Sequence, residues 1–248
     1  MNFSYNLLQW YALNKRDLPW RKTTNPYYIW LSEIILQQTR VEQGLPYYLK
    51  FVKTFPKVQD LALADEDKVL KLWQGLGYYS RARNLHLSAK FILENHNGKF
   101  PNNYEEILSL KGVGFYTAAA ISSFSFQLPY PVVDGNVIRV LSRVFGIVTP
   151  FDTTVGKKQF QLLAQELLDK SNPAEYNQAI MEFGALQCIP KSPKCESCPF
   201  NNECVAFNTN EVLNLPIKSK KIKVKDRYLN FLVVNQKKQI LLGKRNNG

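Results

Sequence analysis

Histidine is nearly missing: the chain has two in 248 residues, His86 and His96. That excludes a histidine-rich metal site and leaves little material for imidazole acid–base chemistry. Long hydrophobic runs are missing as well, and no uncharged apolar stretch approaches the roughly 20 residues that cross a bilayer. The N-terminal MNFSYNLLQWYALNKRDLPWR has no basic segment followed by an apolar one, so a secretory leader is not expected. The expectation is a cytoplasmic protein, nucleoid-associated in a bacterium, that is not secreted and has no membrane partner. Strand-type alternation is absent before residue 228. No G-x4-GK[ST] motif and no strand-led glycine loop is present, which excludes Walker and Rossmann nucleotide sites.

What is present suits a folded protein. Hydrophobic residues make up 45% and charged residues 21% of the chain, enough to bury a core as one large domain or two small ones. The net charge of +12 is unevenly placed. Residues 1–215 carry 22 basic and 19 acidic side chains; 216–227 carry six and one; 228–248 carry four and none. Three quarters of the excess therefore lies in the last 33 residues. A polyanion such as DNA or RNA is the expected partner of that charge.

Helical spacing runs through residues 1–187. Asn25-Pro26 supplies a cap and a first-position proline to a helix over Tyr27–Thr39 with Tyr27, Trp30, Leu31, Ile34 and Ile35 on one stripe. Further helices are expected up to Asn97-Gly98, on both sides of Leu110–Gly114 (Tyr104–Leu110 and Tyr116–Phe124), after Asp134, around Leu162–Leu168, and from Tyr176 to Leu186. Tyr228–Val234 and Ile240–Leu242 read as a β-hairpin turning at Asn235–Gln239. One hairpin cannot stand alone, so a second domain is expected to begin there and to be cut off at Gly248.

The four cysteines, Cys188, Cys195, Cys198 and Cys204, fall within 17 residues as C-x6-C-x2-C-x5-C. A tetrathiolate metal site is the expectation. The single C-x2-C knuckle with longer arms suits an iron–sulfur cube, and zinc remains the alternative. The glycine turn Gly112-Val113-Gly114 reads either as an ordinary helical hairpin or as a place where helix-start N–H groups meet a phosphate. Glu33 lies off the apolar stripe of its helix, where a solvated face is the plain reading, yet Gln38 falls within that stripe. Asp134 reads as an N-cap whose carboxylate stays ionised and can face a developing cation.

Together, Trp30–Thr39, Gly75–Asn84, the glycine turn, Val132–Val137 and the four-cysteine loop resemble the helix–hairpin–helix DNA glycosylase superfamily. More narrowly they resemble its MutY-type adenine DNA glycosylases, a likeness that covers residues 8–215. The resemblance implies an all-α, two-lobed fold with a C-terminal iron–sulfur loop and a residual β-hairpin. Residues 1–22 and 133–215 would form an iron–sulfur domain, 23–132 a six-helix domain, 216–227 a basic linker, and 228–248 the start of a Nudix-like domain. It implies removal of adenine opposite 8-oxoguanine or guanine in double-stranded DNA, by a monomer carrying a [4Fe–4S] cluster on the four cysteines. Glu33 would be the acid, with Trp30 and Leu31 as its apolar walls, and Asp134 the cation stabiliser, with Tyr116 and Asn136 in support. Trp20, Arg21 and Gln178 would lie near the adenine pocket. Gln37, Gln38, Tyr78 and Gly112–Gly114 would meet DNA, Gln38 and Tyr78 as wedges. The nearest alternative is an endonuclease III-like glycosylase and lyase, which needs a lysine where Tyr116 stands.

Overall fold

The structure, a computed structural model, describes residues 2–219, 228, 235–236 and 239–240. Twelve α-helices carry the described chain: α1 Phe3–Asn14, α2 Pro26–Leu36, α3 Val41–Thr54, α4 Val58–Ala62, α5 Glu66–Trp73, α6 Ser80–Asn95, α7 Tyr104–Ser109, α8 Phe115–Phe126, α9 Gly135–Phe145, α10 Thr154–Leu167, α11 Pro173–Leu186 and α12 Val205–Asn208. A 3-10 turn, Pro19–Arg21, joins α1 to α2. Short polar side chains set the starts. Asn25 accepts from the Tyr27 amide, Asn103 from Glu106, Asp134 from Val137 and Thr153 from Gly156, each taking up an amide with no partner inside its helix. Gln127 and Gly146, both left-handed, end α8 and α9.

Two hydrophobic cores form. One gathers α2 to α8 around Trp30, Phe51, Phe55 and Trp73. The other gathers α1, α9, α10, α11 and the cysteine loop around Leu7, Phe160, Phe183 and Phe200. The chain thus leaves the second core after α1 and returns to it at α9. Helix α8 packs on α2 and α11. A cleft lies between the two groups of helices.

Several expectations are corrected. Helix α2 stops at Leu36, before Thr39, so Gln38 is not on its apolar stripe; it is placed in the following turn with φ +54°. Glu33 is not on a solvated face but 8% exposed, because α8 packs against α2 and α11 packs against α8. The helix expected around Leu162–Leu168 is present as α10, with Leu162 toward solvent and Phe160 and Ala164 on its buried face. Asn235–Gln236 pairs antiparallel with Gln239–Ile240, so strand occupies part of what read as turn. The rest of the 216–227 linker beyond Ser219, and of the hairpin apart from Tyr228, lies outside the described residues.

The crossing of α9 and α11 is tight. A Cβ added at Gly184 would stand 2.6 Å from the Asn136 Cβ and 2.9 Å from its carbonyl oxygen. Backbone cannot step aside as a side chain can. Gly184→Ala is therefore expected to destabilise the protein by about 1–3 kcal/mol, read as a shift of the urea midpoint at unchanged slope; an unshifted midpoint would mean that the helices separate freely.

Candidate active site

The cleft has a volume of about 400 Å³ and is lined from the α1–α2 connection, α2, the turn into α3 and its first residues, α8, the start of α9, and α11. The 3-10 turn contributes Trp20 and Arg21; α2 contributes Ile29, Ser32 and Glu33; α8 contributes Tyr116 and Phe124; the α9 start contributes Asp134 and Asn136; α11 contributes Gln178, Met181 and Glu182. Seven residues singled out in the sequence thus meet in one place: Glu33, Asp134, Tyr116, Asn136, Trp20, Arg21 and Gln178.

Burial pushes the Glu33 carboxyl up to about 7. A hydrogen bond from Tyr116 opposes this, the neighbouring Asp134 adds to it, and Arg21 opposes it weakly. Ile29, Leu18, Trp20, Phe124 and Met181 make the apolar walls of the cleft. Trp30 and Leu31, expected as walls, are wholly buried in the core behind. The same burial, together with Glu33 and Asp134, raises the Tyr116 phenol well above its usual value, so it stays a donor. Asp134 is also raised by burial, but the Val137 amide (2.8 Å), the Asn136 side-chain amide (2.7 Å) and Arg139 all counter that rise. The site therefore holds one carboxyl group with few donors and one with many.

Glu182, Arg16 and Met181 also line the cleft, and sequence reasoning misses them. Arg16 and Arg21 both fork onto the Glu182 carboxylate at 2.6–2.9 Å, and the Arg16 amide adds a further bond. Burial raises Glu182, but the two guanidinium groups outweigh it and hold the acid down at about 2. Its sequence signal is an isolated acid within the apolar stretch Ala179-Ile180-Met181-Glu182-Phe183. Gln178 accepts from the Tyr11 hydroxyl at 2.9 Å, which orients its amide in the cleft.

Other singled-out residues lie outside the cleft. Gly112 has φ +78°, and a Cβ there would reach 2.9 Å from Asn84, so the hairpin requires glycine. Val113 is buried beneath the turn. At Gly114, the N-cap of α8, an added Cβ would meet no atom within 4 Å, which leaves the helix start open to a backbone-sized group. Gln37 donates to Thr117 of α8 at 3.4 Å. Gln38 and the 66%-exposed Tyr78 stand in two loops, both left-handed.

The cysteine loop closes on α9. Among the described residues no three His, Cys, Asp or Glu side chains stand close enough to hold a metal ion. All four cysteines nonetheless line one small, apolar cavity with Arg143. Burial pushes the Cys198 thiol up to about 12, and the other three cysteines add to the rise. Arg143 donates to the Ile189 and Pro190 carbonyls and approaches the Cys188 sulfur at 3.5 Å. Arg139 donates to the Cys188 and Gly184 carbonyls at 2.7 and 2.6 Å and to Asn136 at 2.9 Å. Through Asn136 this bonded path reaches Asp134.

Comparison with known proteins gives a consistent picture. The family described as "HhH-GPD superfamily base excision DNA repair protein" matches residues 31–168. A protein of Buchnera aphidicola subsp. Baizongia pistaciae named "Adenine DNA glycosylase" is 39% identical over 252 residues, spanning 99% of this chain and 70% of that protein. A mouse protein of the same name is 44% identical over 214 residues, 83% of this chain and 42% of its own. Among solved structures, a thermostable thymine-DNA glycosylase superposes with a TM-score of 0.78 at 30% identity, over 84% of this chain and 95% of the other.

The buried acid has a measurable consequence for stability. Glu33 rises from 4.5 to about 7 on folding, so its effect is favourable below pH 4.5 and is lost as pH climbs through 7. The penalty above pH 7 amounts to up to about 3 kcal/mol. Glu33→Gln is therefore expected to stabilise the protein at pH 8 and to bring little or no gain at pH 4.5, by denaturant titration at both; a gain independent of pH would show that Glu33 is not held protonated by the fold.

Proposed function

The chain belongs to the HhH-GPD superfamily of base excision DNA repair proteins, and on that premise we propose that it removes adenine from duplex DNA by hydrolysing the base–sugar bond. Its substrate on this reading is adenine opposite 8-oxoguanine or guanine, and it acts as a monofunctional glycosylase. One observation carries the proposal: a carboxyl group pushed to about 7 shares a cleft with a second, amide-held carboxylate. Adenine inside a duplex is out of reach and must be rotated into such a cleft, at a cost of a few kcal/mol. Gln38 and the exposed Tyr78, on two loops, would enter the stack and offset that cost.

In the cleft, Glu33 gives its proton to a ring nitrogen of adenine, and the bond from C1′ breaks with its electron pair leaving on the base. Asp134 faces the sugar cation that forms, following the two-carboxylate logic of glycoside hydrolysis. Its orientation is fixed by Val137 and Asn136. Glu33, now a carboxylate, takes a proton from the water that adds to C1′ and is restored. Tyr116 holds Glu33 by its hydroxyl. Among the described residues no lysine lines the cleft, so the amine that a lyase would need for a Schiff base is not among its walls. This favours the monofunctional reading over the endonuclease III-like one.

Cys188, Cys195, Cys198 and Cys204 would hold a [4Fe–4S] cluster; four thiols around one cavity are a donor set that fits it. Bound there, the cluster would cross-link the loop that Arg139 and Arg143 tie to α9. Open N–H groups at the start of α8 would take a DNA phosphate.

Excision is tested under single turnover on duplexes with A opposite 8-oxoguanine, with A opposite T as control. Glu33→Gln should lower the rate by about 10²–10⁴-fold while duplex binding stays near wild type, and the wild-type rate should decline above pH 7 as Glu33 ionises. An undiminished rate in the variant would remove Glu33 from its role. The product should be an unnicked abasic strand, with no borohydride-trapped adduct; efficient trapping would favour the lyase. Purified protein should contain about four irons per chain, and one zinc without iron would replace the cluster reading.

A further inference from the structure

We propose that Arg81 is a positioning residue that sets the backbone of both wedge residues, Gln38 and Tyr78, with a single guanidinium fork. The inference rests on the wedge reading given above and adds the part that makes the two loops act together.

Arg81 lies in the first turn of α6 and is half-buried. Among the described residues no acidic side chain forms an ion pair with it; its acceptors are chiefly backbone carbonyls. Nη1 reaches the Ile34 and Ile35 carbonyls at 3.1 Å each, the Gln37 carbonyl more closely still, and the Thr39 hydroxyl at 3.4 Å. Nη2 reaches the Leu76 and Gly77 carbonyls at 3.3 and 3.4 Å, and the Gly77 carbonyl also accepts from the Trp73 indole N–H at 2.9 Å, so Arg81 shares that acceptor with the ring it lies over. The guanidinium carbon also lies 5.1 Å from the Trp73 ring centre and 5.8 Å from that of Tyr78. One nitrogen therefore serves the loop that carries Gln38, and the other serves the loop that carries Tyr78.

The acceptors matter because of their places in the chain. A carbonyl and the next residue's nitrogen share one rigid peptide plane. Holding the Gln37 carbonyl thus turns the peptide that enters Gln38, and holding the Gly77 carbonyl turns the peptide that enters Tyr78. Those next residues have φ of +54° and +47°, a region that side chains other than glycine rarely adopt. Each arm of the fork ends at the peptide immediately before a left-handed wedge residue. Nη1 also takes up two carbonyls from the last turn of α2, a helix with no basic residue of its own there. A lysine ammonium is a single point on a flexible stem and cannot span both loops as a planar fork does.

The test compares two substrates under single turnover with saturating enzyme: adenine opposite 8-oxoguanine, and adenine opposite an abasic-site analogue, where there is no pairing partner to displace. Arg81→Met and Arg81→Lys should each slow the first by about tenfold or more and the second by less than about threefold, with the same pH profile as wild type. A merely structural role would slow both substrates alike, and that result overturns the proposal. So does a wild-type rate ratio in Arg81→Lys, which would show that charge without the fork suffices. The double variant Q38A/Y78A is measured in both backgrounds. It should lower the ratio in the wild type and change it little further in Arg81→Met. No effect in the wild type would overturn the wedge reading and this inference with it; a lowered ratio there, with Arg81→Met unaffected, overturns the role of Arg81 alone.

Discussion

Keeping a carboxyl group out of water without giving it a cation is the constraint around which this structure is arranged. Glu33 achieves it because α2 lies against α8 while α11 closes the cleft from the second core. Neither core alone could enclose that side of α2. The contrast with Glu182, in the same cleft, shows how much neighbours decide. Both are buried glutamates, but two arginine forks keep Glu182 ionised near 2, whereas Glu33 has a phenol for a partner and stays protonated to about 7. Unpaired burial favours the neutral form, and paired burial favours the charged one. The cleft thereby contains a carboxyl group held neutral up to about 7 and a glutamate held ionised by its arginines.

The second requirement is that the anion opposite the acid should not drift. Asp134 meets it through its place at a helix start, where it caps α9 and receives Asn136. Asn136 is in turn held by Arg139, which also donates to Gly184 and to Cys188 of the cysteine loop. The loop and the cleft are therefore parts of one bonded structure, and anything that cross-links the four cysteines also stiffens the support of Asp134. That gives a chain so poor in histidine a reason to carry four clustered cysteines beside a cleft that does not touch them.

Much of this is legible in the sequence, for identifiable reasons. Caps such as Asn25-Pro26 and Asp134 work through bonds to residues two or three positions on, so local sequence contains them entirely. The glycine turn is legible because φ near +78° selects for glycine. Long-range facts are not. Nothing local says that Glu33 is buried, since the residues covering it come from α8 and α11. Periodicity puts Gln38 on a helical stripe, but α2 ends early, at carbonyls that a guanidinium from α6 occupies. The helix around Leu162 is legible, but which of its faces is buried is not: Phe160 is buried and Leu162 is exposed.

Arginine makes the same point about charge. Counted from the sequence, the first 215 residues carry 22 cations that a polyanion could in principle meet. Five of them, however, are arginines at work inside the protein: Arg16 and Arg21 on Glu182, Arg81 on two loops, Arg139 and Arg143 on α9 and the cysteine loop. Three of these five act mainly on carbonyl oxygens, which a charge count never includes. A guanidinium can do this because it is planar, always charged and weakly hydrated, so it joins several backbone acceptors where an ammonium would need water. Net charge therefore overstates what the helical body offers to DNA. Of the cations, what remains toward solvent on that body is chiefly lysine, which the fold leaves exposed while it draws these arginines inward.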